Sequence, residues 1–303
     1  VYSIKAAFDK ILPIIKETLG TQCPETGNFL RPGLKPRFTD IEVIALSITA
    51  ECLSIDSENR LFTILHTEYK NDFPNLLSRR QYNDRRKSLF NYQTVVRQAM
   101  ADRLNDITEV YAIDSMPLEI CKLARMERSK IGKEMEYTAP DKGYCRAQNK
   151  WYYGYKMHCV CAPNGVIQLM DIGKASIHDI YFLKDVGNAL SNCIVVGDKG
   201  YINQSIKDNL WSTRKICLET PLRNNQKNAI AAPYVLKRIR KRIETIFSQL
   251  CDQFMMQRNY AKSFFGYRSR ILAKVSGMTA LQYINRFVTG KPVGCLKYAL
   301  CYK

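Results

Sequence analysis

Nowhere in the 303 residues is there a run of eighteen apolar residues, so no membrane-spanning helix is expected. Low-complexity tracts, a collagen-like period and a sustained heptad are also missing, which leaves the class of ordinary folded proteins. A signal-peptide pattern is absent as well. Residues 1–19 mix Lys5, Asp9, Lys10, Lys16 and Glu17 with apolar positions, as an amphipathic helix does. Paired cysteines at zinc spacing are lacking too. The eleven cysteines are scattered singly, and the closest pair, Cys159 and Cys161, lies inside an apolar run. His158 beside that pair invites a metal, but no second pair completes a zinc set. Reduced thiols in a cytosolic protein are therefore expected.

Acidic residues are few: 28 Asp and Glu stand against 46 Lys and Arg, a net charge of +18. The imbalance is concentrated. From Asn203 to the end there are 19 Lys and Arg against 4 Asp and Glu. A surface so basic attracts a polyanion. Its cations interleave with Tyr, Phe, Trp and Asn rather than forming a separate amphipathic anchor, which favours nucleic acid over lipid. The composition, 46% apolar and 24% charged, suits one large domain or two modest ones.

The first hundred or so residues read as helices. Thr39-Asp40-Ile41-Glu42 is a capping box ahead of an apolar-periodic run. Ser57 and Glu58 open a second helix. His66 lies on it and is expected in the core. Ser78-Arg79-Arg80-Gln81 is another capping box, opening a helix that carries Arg79, Arg80, Arg85 and Arg86. Asn91 starts a further helix. Short helices with one very basic member suggest a helix-turn-helix-like DNA-binding region over 1–106, although a basic helix is also an ordinary solvated face.

The pattern changes at Thr108. Val110-Tyr111-Ala112-Ile113 reads as a buried strand that stops at Asp114. A polar stretch over 119–150 follows, with Arg125, Arg128, Lys142 and Lys150, and its basic part from Arg125 to Lys150 is expected to form a loop over the end of that strand. Strands are expected over 152–161 and 166–172, joined by the turn Ala162-Pro163-Asn164-Gly165. Trp151, Tyr152 and Tyr153 are read as packing on a strand. Helical spacing covers 177–190. Cys193-Ile194-Val195-Val196 is a second short strand that runs into Gly197-Asp198. A small helix and the strand Ile216–Glu219 come next, and Pro233 opens a long helix with Leu236, Ile239, Ile243 and Phe247 on its apolar side. A hairpin followed by alternating helices and strands means an α/β class protein with a mixed sheet covered by helices.

Three carboxylates stand out. Asp114 and Asp198 end short apolar strands, where open α/β sheets bind their ligands. Glu244 lies on the last helix among Lys237, Arg238, Arg240, Lys241 and Arg242. It reads either as half of a surface ion pair or as an acid at the edge of the buried face beside Ile243 and Phe247. Acids in a DNA-binding protein repel phosphate unless a divalent cation intervenes, and hard oxygen donors suit Mg²⁺ or Mn²⁺. Weaker candidates are Lys199 and Tyr201 beside Asp198, as phosphate contacts or turn residues. His178 is read as a DNA contact and Asp179 as an acid at a helix N-terminus.

The segments Ala112-Ile113-Asp114-Ser115-Met116-Pro117, Val196-Gly197-Asp198-Lys199-Gly200-Tyr201 and Arg242-Ile243-Glu244-Thr245-Ile246-Phe247 resemble those of insertion-sequence DDE transposases. The likeness is to the IS4-like group, closest to the insertion-sequence 982 type, and it also takes in 121–128, Ala175-Ser176-Ile177-His178-Asp179 and the N-terminal helices. It implies an RNase H-like fold over 107–303, in which Asp114, Asp198 and Glu244 hold two Mg²⁺ or Mn²⁺ ions. Arg240 matches that group's Arg, four residues before its Glu; Lys237 and Cys251 stand where it has Tyr and Lys. The DNA contacts expected are Arg79, Arg80, Arg85, Arg86, Arg125, Arg128, Lys199, Lys237, Arg238, Arg240 and Lys241. The expected activity is metal-dependent cleavage at the ends of a mobile element, then strand transfer of the 3′-hydroxyl into target DNA. The partners implied are double-stranded DNA and a second copy of the chain, in the bacterial cytoplasm at the nucleoid. The rival readings are an RNase H-like nuclease without strand transfer and a decayed or domesticated relative that only binds DNA.

Overall fold

A computed structural model describes residues 3–106, 109–221 and 234–300. Thr108 and Pro233 lie outside the described residues. The chain divides into two compact units. One comprises Val1–Leu104, Leu250–Ala261 and Phe265–Lys303; the other comprises Asn105–Gln249 and Lys262–Phe264. The sequence assigns everything beyond 106 to the catalytic domain, whereas by contact most of the stretch from Leu250 onward belongs with the N-terminal helices.

The helical unit contains α1 (Ile4–Leu19), α2 (Asp40–Cys52), α3 (Glu58–Glu68), α4 (Arg79–Ser88) and α5 (Phe90–Leu104). Both capping boxes form as the sequence requires. Thr39 accepts from the Glu42 N–H while Glu42 accepts from the Thr39 N–H, and Ser78 and Gln81 repeat the arrangement. Each cap satisfies amides that the helix start would leave orphaned, worth about 1 kcal/mol apiece. His66 is exposed on α3, against expectation, and only leans on the Phe62 ring. Its neighbours Leu61, Phe62 and Leu65 take the inward face, a placement that helical spacing alone decides.

Most of α9 (Phe264–Tyr283) belongs to this unit and is buried around nearly its whole circumference from Gly266 onward. A helix buried all round needs partners for its polar groups. Lys274 Nζ donates to Glu51 Oε2 (3.1 Å), Asp56 Oδ1 (2.7 Å) and the Phe254 carbonyl (2.7 Å), and Arg270 pairs with Asp56 at 2.5 Å. Gly277 lets α2 approach closely: a Cβ there would lie 3.0 Å from that of Glu51. The four buried charges thus tie α9 to α2 and to Asp56 just beyond it.

In the other unit a six-stranded sheet runs in the order β2-β3-β1-β5-β6, with β4 also on β3. The strands are β1 (Val110–Cys121), β2 (Asp141–Cys145), β3 (Lys150–Cys161), β4 (Ile167–Lys174), β5 (Cys193–Val196) and β6 (Ile216–Glu219). One edge of β3 takes β1 and the other takes β4 and β2 in succession, all antiparallel. β5 and β6 run parallel to β1. The β3–β4 turn forms as read, with the Gly165 N–H donating to Ala162 O and Gly165 at φ +88°, a conformation that suits glycine.

Two expectations are corrected here. β1 does not stop at Asp114 but continues to Cys121, because β3 stays paired with it that far and Met116 and Leu118 keep the alternation of buried positions. A carboxylate and Pro117 had masked that period. Nor is the stretch from Arg125 to Lys150 a single loop, since β2 lies within it at the sheet edge. Between β4 and β5 the helical run is split into a 3₁₀ turn, Asp179–Phe182, and a short α6 (Leu183–Ala189). α7 (Gln204–Arg214) precedes β6. Phe182, Leu183, Val186 and Leu210 form a core cluster with Ile113, Val160 and Val195 of the sheet. Burial of each such side chain contributes about 1.5–3 kcal/mol.

Candidate active site

The sheet fixes two of the three acids by register. The β1–β5 pairing ends at Ala112 opposite Val196. Asp114 and Asp198 each lie two residues beyond that last rung, so both acids emerge at the same end of the parallel pair. Asp198 then caps the 3₁₀ turn Lys199–Tyr201, its Oδ1 accepting from the Gly200 N–H at 2.7 Å. Asp114 accepts from the Ser115 N–H at 2.8 Å. Burial pushes the Asp114 carboxyl up to about 7; the Ser115 N–H and Arg240 pull the other way, while Asp198 and Asp179 add to the rise. Two aspartates and a third acid thus crowd within electrostatic reach of one another.

Glu244 comes from α8 (Tyr234–Asp252). Ile243 and Ile246 are the buried positions beside it; Leu236, Ile239 and Phe247 are only partly covered. The Glu244 side chain is about half exposed and faces Arg240 at 3.6 Å. Because Arg240 also acts on Asp114, this guanidinium links the helix acid to the sheet acid. Arg242 is turned elsewhere: it donates to Asn164 O at 2.8 Å and packs over Gly165, holding α8 to the β3–β4 turn.

Among the described residues, no three acidic, His or Cys side chains are gathered closely enough to hold a metal ion as they lie. The donor chemistry nonetheless suits a hard divalent cation, because the groups that converge are carboxylates and neither thiolate nor imidazole joins Asp114 and Asp198. Gly200 lets the Asp198 carboxylate close over the turn: an added Cβ would lie only 2.9 Å from its Oδ1.

The expected DNA contacts divide into two groups. Arg79, Arg80, Arg125, Arg128, Lys199, Lys237, Arg238 and Lys241 are exposed, and Arg240 is partly so. Arg85 and Arg86 are turned inward. Arg85 donates to Phe38 O at 2.7 Å and pairs with Asp40, while Arg86 is buried 2.9 Å from Glu58. These two arginines hold the helical unit together. Trp151 is exposed at the sheet edge, whereas Tyr152 and Tyr153 are buried.

Sequence reasoning gave no role to Lys156 and read Asp179 as an acid at a helix start. The structure brings both to the site's margin, Lys156 Nζ lying 2.8 Å from Asp179 Oδ1. His178, not Asp179, caps the turn, its Nδ1 accepting from the Ile180 N–H. The available signal was position: Asp179 lies in the connection that leaves β4, the strand that pairs with β3.

The family model for a transposase DDE domain matches residues 104–263. The chain belongs to that family. Neither a curated protein nor a solved structure matches it. The match spans every strand of the mixed sheet and the three acids, and the helix-flanked sheet is compatible with a DDE nuclease fold. The transposase is therefore an enzyme of DNA transposition, from a family that generally uses divalent metals. Among its described residues no helix is long and apolar enough to cross a membrane.

Proposed function

We propose that this transposase cleaves the ends of an insertion sequence and joins the freed 3′-hydroxyl to target DNA, with Asp114, Asp198 and Glu244 as its metal-binding acids on an RNase H-like sheet. The observation that carries the reading is register: Asp114, within β1, and Asp198, just after β5, each lie two residues beyond the last β1–β5 rung, inside a segment matching the DDE family. Two Mg²⁺ or Mn²⁺ ions bound there would supply activation of the attacking oxygen and stabilisation of the leaving one. The chain's own part is to hold the carboxylates in place and to seat the phosphate. Arg240 keeps Glu244 directed along α8, and the exposed Lys237, Arg238 and Lys241 offer positive charge on the same helix. Water and then a 3′-hydroxyl serve as nucleophiles, so no side-chain nucleophile is required. Arg79 and Arg80 on α4 are the proposed N-terminal DNA contacts, and two copies of the chain bring the two ends together. The likeness to the insertion-sequence 982 type supports the assignment of the ends as substrate.

The test uses labelled duplexes carrying the element's ends with Mg²⁺ or Mn²⁺. Asp114→Asn, Asp198→Asn and Glu244→Gln should each abolish cutting while leaving DNA binding intact. Normal cleavage by any one removes that residue from the set. Cut ends without joined product from the unaltered chain would make it a nuclease only.

A further inference from the structure

Between α1 and α2 the helical unit carries a loop that is tied down at its base and bare at its tip. At the base, Asn28 Nδ2 donates to the Pro36 carbonyl at 3.2 Å, and Asn28 Oδ1 accepts from the Asp40 N–H at 3.2 Å. The Asp40 carboxylate accepts from the Phe29 N–H at 3.0 Å and pairs with Arg31 at 3.2 Å. The Phe29 ring stacks on Tyr92 of α5 with centroids 3.7 Å apart, and Phe38 is buried. Arg85 of α4 donates to the Phe38 carbonyl, so the loop is fastened to α2, α4 and α5.

The tip is the opposite. Residues 30–35 are all exposed, with Leu30 at 100% and Leu34 at 98%. No other large apolar side chain among the described residues is as bare. The two leucines flank a bend at Pro32-Gly33, where Gly33 takes φ +97°. Pro32 and Pro36 stiffen the loop, which lowers the entropy lost when it docks. A scattered exposed leucine is ordinary, but two held out in water by a clamped, proline-bearing loop mark a contact surface.

Charge selects the partner. Arg31, Lys35 and Arg37 are exposed, and no acid lies between Glu25 and Asp40. A lipid surface calls for a broader apolar face, such as that of an amphipathic helix. The same loop of a second copy would bring like charge to like. Apolar side chains set between cations suit DNA: the cations lie on phosphates and the apolar groups wedge between base steps.

We propose that the loop carrying Leu30 and Leu34 is a DNA wedge. The two leucines enter the minor groove and open a base step, while Lys35 and Arg37 take the flanking phosphates. The partner is double-stranded DNA with a readily unstacked A·T-rich step. The proposal rests on the reading of the helical unit as DNA-binding and adds a second contact beside Arg79 and Arg80. Arg85, which anchors the loop, follows Arg79 by about 9 Å along α4, so one duplex can meet both.

The experiment offers the full chain two duplexes of equal length, one A·T-rich with central TA steps and one G·C-rich. Fluorescence anisotropy across a salt series reads affinity, and energy transfer between dyes on the duplex ends reads bending. Leu30→Gln with Leu34→Gln should weaken binding to the A·T-rich duplex about tenfold and remove most of the bend. The salt slope and the melting temperature should stay as in the parent, because both side chains already lie in water. Lys35→Gln with Arg37→Gln should instead flatten the salt slope by roughly one to two units. Val95→Gln, at another exposed apolar position of this unit, should change nothing. Parental affinity and bending in the leucine variant overturn the proposal. So does a leucine variant that binds DNA normally but alters the sedimentation of the DNA-free chain, which makes the loop a contact between copies. If the parent binds neither duplex, the DNA-binding reading of the unit fails with it. If Arg79→Gln with Arg80→Gln weakens binding and the leucine variant does not, the wedge alone is wrong.

Discussion

One turn apart on α8, the Arg240 guanidinium lies 3.6 Å from the Glu244 carboxylate. The pair is partly solvated, so its contribution to folding is small, about 0–1 kcal/mol. The same guanidinium also opposes the rise at Asp114, so it acts on both acids. Arg240→Gln should lower cleavage on the order of tenfold to a hundredfold with a melting temperature close to that of the parent. A variant that melts early yet cuts normally would reduce Arg240 to a structural residue.

The exposed cations of α8 predict a salt effect. Each phosphate neutralised on duplex DNA contributes roughly −0.9 to the slope of log affinity against log salt. Changing Lys237, Arg238 and Lys241 to Gln should therefore flatten that slope by about two or three units while Mn²⁺ binding persists. Fluorescence anisotropy across a salt series measures it. An unchanged slope would move the DNA path to Arg125 and Arg128.

The arginines of α4 should separate by function. Arg79→Gln with Arg80→Gln should weaken binding to element ends without altering urea unfolding, as both side chains are exposed. Arg86→Ala should instead strip a buried partner from Glu58 and destabilise the fold by about 3–5 kcal/mol. If the first pair unfolds the protein and Arg86→Ala does not, the two roles are reversed.

The buried charges around α9 predict a pH dependence. Burial raises the Glu51 carboxyl above its ordinary range, against the pull of Lys274 and Arg270. The folded state then holds a proton that the unfolded chain has already released, so this group makes stability fall as pH climbs above the ordinary carboxylate range. Glu51→Gln removes that dependence. Its melting temperature should gain on the parent as pH rises, with the smallest difference in acid. Lys274→Met should cost about 3–5 kcal/mol, since it leaves two buried acids short of a cation. A gain for Glu51→Gln that grows toward acid would refute the assignment.

Local order was readable from the sequence, and the acids' geometry less so. Capping boxes, the β3–β4 turn and the apolar runs at β5 and β6 are signals carried within a few residues, and each forms where the sequence puts it. β2 escaped because an edge strand has one paired side and little burial, so Asp141, Lys142 and Tyr144 look like loop residues. Arg85 and Arg86 looked like a DNA-facing row because periodicity does not reveal which carboxylates lie across the fold. Asp179 was hidden for the same reason: its neighbours Lys156, Asp198 and Gly200 are brought to it by sheet pairing and by the turn after β5.

The helical unit is completed only by residues translated after the strand-bearing unit. α2 is made early and α9 late, with the whole strand-bearing unit translated between them. Until α9 has emerged, Glu51 and Asp56 have no Lys274 or Arg270, and the face of α2 at Glu51 and Cys52 has no helix to meet. A message cut short before α9 therefore yields an unfinished helical core that proteases can clear. The order of translation thus makes persistence of the N-terminal helices depend on synthesis having passed through the catalytic acids.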